Sequence, residues 1–519
     1  MSDSASGRLT SARASSQSPA RHASSPRPAT QTPPTPLAAS AVSVPAAPTP
    51  QAPRAATYLS APHTPAFAQR DIFAPAQADA PTQPIARDPS DLLFYMALAM
   101  LPVDGTLLGV PLPYWTPLSP WFFLAYALSN WRYLRLTLRK YLPFFLFPVL
   151  LAVTSIYGWQ TVAVHANAIA LSFVSLLLGL ACLASLDIAF ARKRLSIRAS
   201  LTVVVCTYWF AFAVGVAQFI ALKLQSDATL HYFAAMMYRR YIRVRPQFLF
   251  AEPSYTGMHL FGVLLPLFWL TRDRRFAVLI PVFAAGAIAM GSGTRIIIDS
   301  AVALFLWLVS AVNFRNRKAT WGFIAGSSAI AAGGLLATIL EPRLNALATR
   351  GLLAGDGSMS ARIFHMLAPM WSWKHDLLHF LFGWGSGNIS DAVRDGYAGA
   401  RQWFDAHGGA ANQEINGLVN PPTNTFTMSV YSSFITEFGI VMFALLAVML
   451  LIHITTHRAW NRTTVCWLVL TAYLYIQFES YAFYALWLLI FAVYFSTEIM
   501  HNRASDENAC PIPGSRAER

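Results

Sequence analysis

Beyond Asp91 the chain is a succession of about twelve apolar runs of roughly 15 to 25 residues, and a run of that length crosses a hydrocarbon core as one helix. The best separated are 141–159, 165–190, 198–222, 275–291, 294–312, 321–340, 429–453, 463–479 and 481–499. Three are weaker: 91–112 is interrupted by PVDG, 116–130 is short, and 256–270 carries a proline. Inside lipid every backbone polar group must find its partner within the protein, so the runs predict an all-α, polytopic membrane protein with about 12 transmembrane helices. With 55% hydrophobic and 12% charged residues and a mean hydropathy of +0.43, 519 residues are too apolar for a soluble globule.

The organisation divides at 90 and 500. Residues 1–90 mix Pro, Ala, Ser and Thr with scattered arginines, a composition that cannot offset its ordering entropy and predicts a disordered tail. The tail lacks the pattern of a signal peptide and is expected in the cytoplasm, as is a second tail, 501–519. Most of the net charge of +14 lies in short clusters between apolar runs, so it reads as topology rather than nucleic-acid binding. WRYLRLTLRK, ARKRLSIR, TRDRR, NFRNRK and THRAWNR mark alternate loops, which leaves 223–255, 341–428 and the linker holding Arg295 outside. The four cysteines suggest neither a disulfide framework nor a CxxC metal site.

Arg295, in MGSGTRIIIDS, opposes the charge rule that its neighbours obey. An arginine snorkelling to lipid phosphates is one reading. Flanking Gly291 and Gly293, which let backbone N–H groups approach an anion, favour a functional one. Arg239, Arg240, Arg243 and Arg245 are spaced to put at least two guanidinium groups on one side of a helical stretch, a match for phosphate or for anionic lipid head groups. Glu252 follows them where the chain returns to the membrane, and a carboxylate there needs a partner or a role as base. In the larger external segment, Arg362 and His365 fall in a helix that ends at the Gly-rich turn GWGSG, and Asp299 reads as the only clear carboxylate within the membrane. His365, His375, His379 and His407 have no metal-ligand spacing, so no metal and no cofactor are expected.

Taken in order, EPSYTG, GSGTR with a helix behind it, the S-x-x-x-R segment running into FGWGSGN, and TNTFTMSVYSSFITEFGIVMFALL resemble the O-antigen polymerase and O-antigen ligase superfamily of bacterial envelope polysaccharide assembly. The match covers essentially 91–500. It implies a glycosyltransferase of the bacterial inner membrane with its site facing the periplasm. The implied donor is a polyprenyl-diphosphate-linked oligosaccharide, and further partners are membrane lipids, a chain-length regulator and other assembly proteins. Arg295 then corresponds to the family's linker arginine and Arg362 to that of the large loop, both holding diphosphate or sugar, with Asn424 beside them. Where ligase-like members carry histidine before asparagine, this chain has Thr423, which cannot serve as a base at neutral pH. Glu252, His365 and Glu437 remain as bases, with Glu252 favoured.

Polymerisation of lipid-linked repeat units into O-antigen, capsule or exopolysaccharide is the leading expectation, and ligation to lipid A core is its sibling. A transporter or flippase of lipid-linked sugars is expected to show repeated halves and more ionisable groups at mid-membrane. A scaffold recruiting partners through its Pro-rich tail is the remaining class.

Overall fold

The computed structural model describes residues 88–112 and 115–509. Regular structure among them is helical throughout, and the only β-type pairings are the isolated bridges Thr106–Met237 and Leu112–Trp115. Six helices are long and apolar enough to cross a membrane: Leu142–Thr161, Ala166–Arg192, Ile197–Lys223, Thr294–Ala311, Arg317–Leu340 and Val430–Thr456. The tail expected at 1–90 lies outside the described residues except for its last three, and the final helix runs through the expected boundary at 500 to Ala509.

Five of the other expected spans are shorter or broken. Only Asp91–Ala99 of the first run is helical, about 14 Å at 1.5 Å per residue and half of a hydrocarbon core. The PVDG interruption is a fold-back, in which the Asp104 and Gly105 amides donate to the Leu249 carbonyl at 3.1 and 2.9 Å. The second run forms Ser119–Ser129, and the runs at 275–291 and 463–479 form Arg274–Ala289 and Arg462–Tyr475. The proline-bearing run is helical from Pro253 to Thr271 through a π-type segment at Leu260–Leu264. Pro266, which has no N–H to donate, opens the helix that follows.

Most basic loops collect at one end of the bundle. Lys140 pairs with Asp187 at 2.6 Å, Lys193 with Asp88 at 2.8 Å, and Arg275 with Asp273 at 2.6 Å while reaching Thr202 Oγ1 at 2.7 Å. Arg462 donates to the Val312 carbonyl, which closes the helix Thr294–Ala311. Arg295 opens that same helix, so it lies at the opposite end. There the two long segments following Lys223 and Leu340 fold. The second builds a small core of its own, in which Phe364 and Ala368 on Gly357–His375 face Val393 and Phe404 on Ile389–Ala406. Gly396 brings those helices together, since a Cβ there would run into the Ala368 carbonyl.

Candidate functional site

Buried polar side chains that the sequence did not single out fix the backbone ahead of Glu252. Gln218 Oε1 accepts from the amides of Gln247 and Phe248 at 2.9 and 2.8 Å, and its Nε2 donates to the Phe248 carbonyl at 2.8 Å. Gln247 Nε2 donates to the carbonyls of Phe250 and Ala251. Asp104 Oδ1 accepts from the Ala251 amide at 2.7 Å, while its Oδ2 meets Trp115 Nε1 and His259 Nε2, each at 2.8 Å. His259 Nδ1 in turn meets the Tyr208 hydroxyl at 2.8 Å. Apart from Gln247 Oε1, the side-chain polar atoms of this network find partners inside the protein, the condition for burying them. The turn entering Glu252 is therefore held at several points.

Glu252 connects two cavities. Its Oε1 pairs with Arg239, and its Oε2 faces Arg362 Nη2 at 3.3 Å and accepts from Ser254 Oγ at 2.9 Å. Arg362 lines the first cavity and Arg239 the second.

The first cavity, about 60 Å³, is walled by Arg245, Arg295, Arg343 and Arg362, with Asp356 as its one carboxylate. The helix Thr294–Ala311 begins in its wall, so unsatisfied N–H groups and the positive end of the helix dipole face it. Gly293, at φ +146°, leaves so little room that a Cβ would sit 3.1 Å from Arg245 Nη1. Ser292, 1% exposed, brings a hydroxyl with no hydrogen-bond partner. Arg295 Nη1 donates to the Gln477 carbonyl at 2.8 Å, and its Nε lies 3.4 Å from Asp299 Oδ2. Tyr473 holds the other Asp299 oxygen at 2.8 Å. Guanidinium groups, a helix N-terminus and a spare hydroxyl converging on a small space suit an anion with several oxygens.

The second cavity, about 220 Å³, contains Thr423, Asn424, Glu437, Glu479 and Ser480 in its wall. Glu437 organises it: Oε1 accepts from the Gly387 amide at 2.8 Å, and Oε2 from Ser172 Oγ at 3.1 Å and the Tyr481 hydroxyl at 2.8 Å. FGWGSGN therefore docks against the helix carrying Glu437, which is broken there by Gly439 at φ +81°. A Cβ on Gly383 would meet the Glu437 carbonyl, and one on Gly439 the Leu381 carbonyl. Gly439→Ala is expected to cost about 1–3 kcal/mol in backbone strain and to lower the apparent melting temperature in detergent. An unchanged midpoint would contradict this docking.

Glu479 was missed by sequence reading. Its Oε2 accepts from the amides of Thr427 and Met428 at 2.6 and 2.7 Å and so positions the strip after Asn424. Asp299 is not the only carboxylate withdrawn from water, because Asp104, Asp187, Glu437 and Glu479 are each at most 4% exposed. The available signal was a lone acid at the end of a long apolar run.

The arginines at 239–245 do not share a helix face. The helix Asp227–Met236 ends before them, and only Tyr241–Arg243 forms a short 3₁₀ turn. Arg239 and Arg245 reach different cavities, while Arg240 and Arg243 are exposed and line neither. Neither Glu252 nor His365 is part of a cavity wall; Glu252 lies between two guanidinium groups that are. His365 is engaged at both nitrogens, 2.8 Å from the Phe426 carbonyl and 3.2 Å from Glu414 Oε1. That contact holds the Glu414 carboxyl below its ordinary range. Among the described residues no group of three or more His, Cys, Asp or Glu is arranged to hold a metal ion. No protein-family model matches this chain, and no curated protein or solved structure is significantly similar to it.

Proposed function

We propose that the chain is a polysaccharide polymerase of the O-antigen polymerase and ligase kind, working from the periplasmic side of a bacterial inner membrane. The supporting observation is the cavity of four arginines at the end of the bundle where the two long loop segments fold. An external site has little access to cytoplasmic nucleotides, so its donor arrives already activated, as a glycan on a polyprenyl diphosphate. Arg245, Arg295, Arg343 and Arg362 bind that diphosphate and stabilise its charge as it leaves, the electrostatic role a metal takes in other transferases. An acceptor hydroxyl attacks the anomeric carbon; its new C–O bond forms as the bond to phosphate breaks, and the electron pair departs with the polyprenyl diphosphate. The proton goes to Glu252. Phosphate arriving in the first cavity competes with Glu252 for Arg362 and thereby frees Oε2 to act as base, while Oε1 stays paired with Arg239.

Ligation is less favoured, because Thr423 stands in the second cavity where a histidine would be the ligase's base. Transport is less favoured because the arginine cavity opens at a helix end instead of at mid-depth.

In this arrangement the six long helices cross the membrane, shorter and broken helices between them add further passes, and both tails are cytoplasmic. In a background without native cysteines, an impermeant thiol reagent added from the periplasm should label Ser358→Cys and spare Ser196→Cys, both at exposed positions. The reverse pattern would overturn the orientation. Transfer is also expected to continue in EDTA. Activity abolished by the chelator and restored by magnesium or manganese would show that the arginines do not carry the diphosphate alone.

A further inference from the structure

We infer that the second cavity seats the acceptor, and that the acceptor residue it takes is an uncharged sugar. This rests on the reading of the chain as a glycan transferase, and it adds where the attacking hydroxyl sits and what kind of residue carries it. The cavities differ in both size and charge. The first is the smaller and its arginines outnumber its single acid four to one. The second is several times larger, and its one cation, Arg239, is already paired with Glu252 while two carboxylates, Glu437 and Glu479, stand in its wall. An anionic ligand entering it finds that one cation already paired, and the donors around the acids, the Gly387, Thr427 and Met428 amides and the Ser172 and Tyr481 hydroxyls, already taken by Glu437 and Glu479.

A neutral ring finds suitable partners instead. Ser480, 3% exposed, lines the cavity with a hydroxyl that has no hydrogen-bond partner. Thr423 and Asn424 add exposed donors and acceptors at the rim. Trp115, whose indole N–H is committed to Asp104 at 2.8 Å, offers apolar ring surface to the cavity. Apolar walls with a few fixed polar groups are the usual make-up of a pocket for a small organic ligand. The chain of ion pairs Arg362–Glu252–Arg239 runs from the diphosphate cavity to this one. An acceptor hydroxyl presented here lies on the Glu252 side of the donor, as the transfer requires.

The test uses full-length protein in nanodiscs. Saturation-transfer NMR is run with the methyl glycosides of glucose, galactose and N-acetylglucosamine and with methyl glucuronide, and inorganic pyrophosphate binding is followed by calorimetry. At least one neutral glycoside should receive saturation, methyl glucuronide should receive much less, and pyrophosphate should not displace the neutral sugar. Thr423→Trp, which fills the cavity from its exposed rim, should abolish the glycoside signal and leave pyrophosphate binding intact. Asn424→Trp serves the same purpose if the first variant does not fold. The inference is overturned if pyrophosphate competes with the glycosides, if the filled cavity still binds them, if glucuronide binds as well as the neutral sugars, or if none of the sugars binds at about 10 mM, beyond the millimolar range expected of so small a ligand. Pyrophosphate binding with no glycoside binding removes the acceptor site alone. Failure of pyrophosphate to bind removes the transferase reading with it.

Discussion

Arg295→Gln combined with Asp299→Asn is expected to give a folded, normally expressed protein that elongates glycan about tenfold to a hundredfold more slowly than wild type. The double change is needed because Arg295 faces Asp299 at 3.4 Å and both side chains are almost wholly buried. Removing the arginine alone strands a carboxylate, which in buried pairs costs about 3–5 kcal/mol, so Arg295→Ala would lose fold and function together. Neutralising both members removes that penalty, and the side-chain amide that replaces the Asp299 carboxylate keeps an oxygen to accept from Tyr473. What is then lost is one charge-assisted contact to phosphate, about 1.5–3 kcal/mol, and each 1.36 kcal/mol is a factor of ten in rate. Arg295→Lys should recover part of the activity, because it keeps the charge without the planar fork. A double variant that folds and elongates like wild type would remove the diphosphate role of Arg295, and one that melts lower while elongating at the wild-type rate would leave it only the contact with the Gln477 carbonyl.

Glu252→Gln is the second large effect. Loss of a general base lowers turnover by about a hundredfold to ten-thousandfold. Pyrophosphate should bind this variant at least as tightly as wild type, because the amide no longer competes as an anion for Arg362, 3.3 Å from the carboxylate. A residue that merely braced two arginines would give the opposite pattern, with weaker anion binding and turnover lowered in proportion. Wild-type turnover in Glu252→Gln would remove Glu252 as the base.

The helical class is written in local sequence, because span length and hydropathy are local quantities. Even so, length misleads where a run folds back: PVDG is polar for the sake of Asp104, whose partners His259 and Ala251 lie some 150 residues away. The first cavity was half legible. Arg295 announced itself by breaking the charge rule, and Arg362 and Arg245 by their place in the loops, but Arg343 gave no local signal of its position. Glu252 and Arg362 meet across 110 residues, a pairing that no spacing within one sequence encodes. Arg240 and Arg243 mislead for the converse reason, since their spacing fits a helical repeat where the chain instead turns. Glu479 was hidden because a lone acid in an apolar run reads as the end of a span until the amides of Thr427 and Met428 are seen around it.

The most direct test is to incubate purified protein with a polyprenyl-diphosphate-linked oligosaccharide repeat unit, without nucleotide sugar and in the presence of EDTA, and to separate the products by size. The expected result is a ladder of longer lipid-linked glycans together with released polyprenyl diphosphate, absent with Glu252→Gln. Donor left at its original length by protein that nonetheless moves it across a liposome membrane would contradict the transferase reading and identify a transporter.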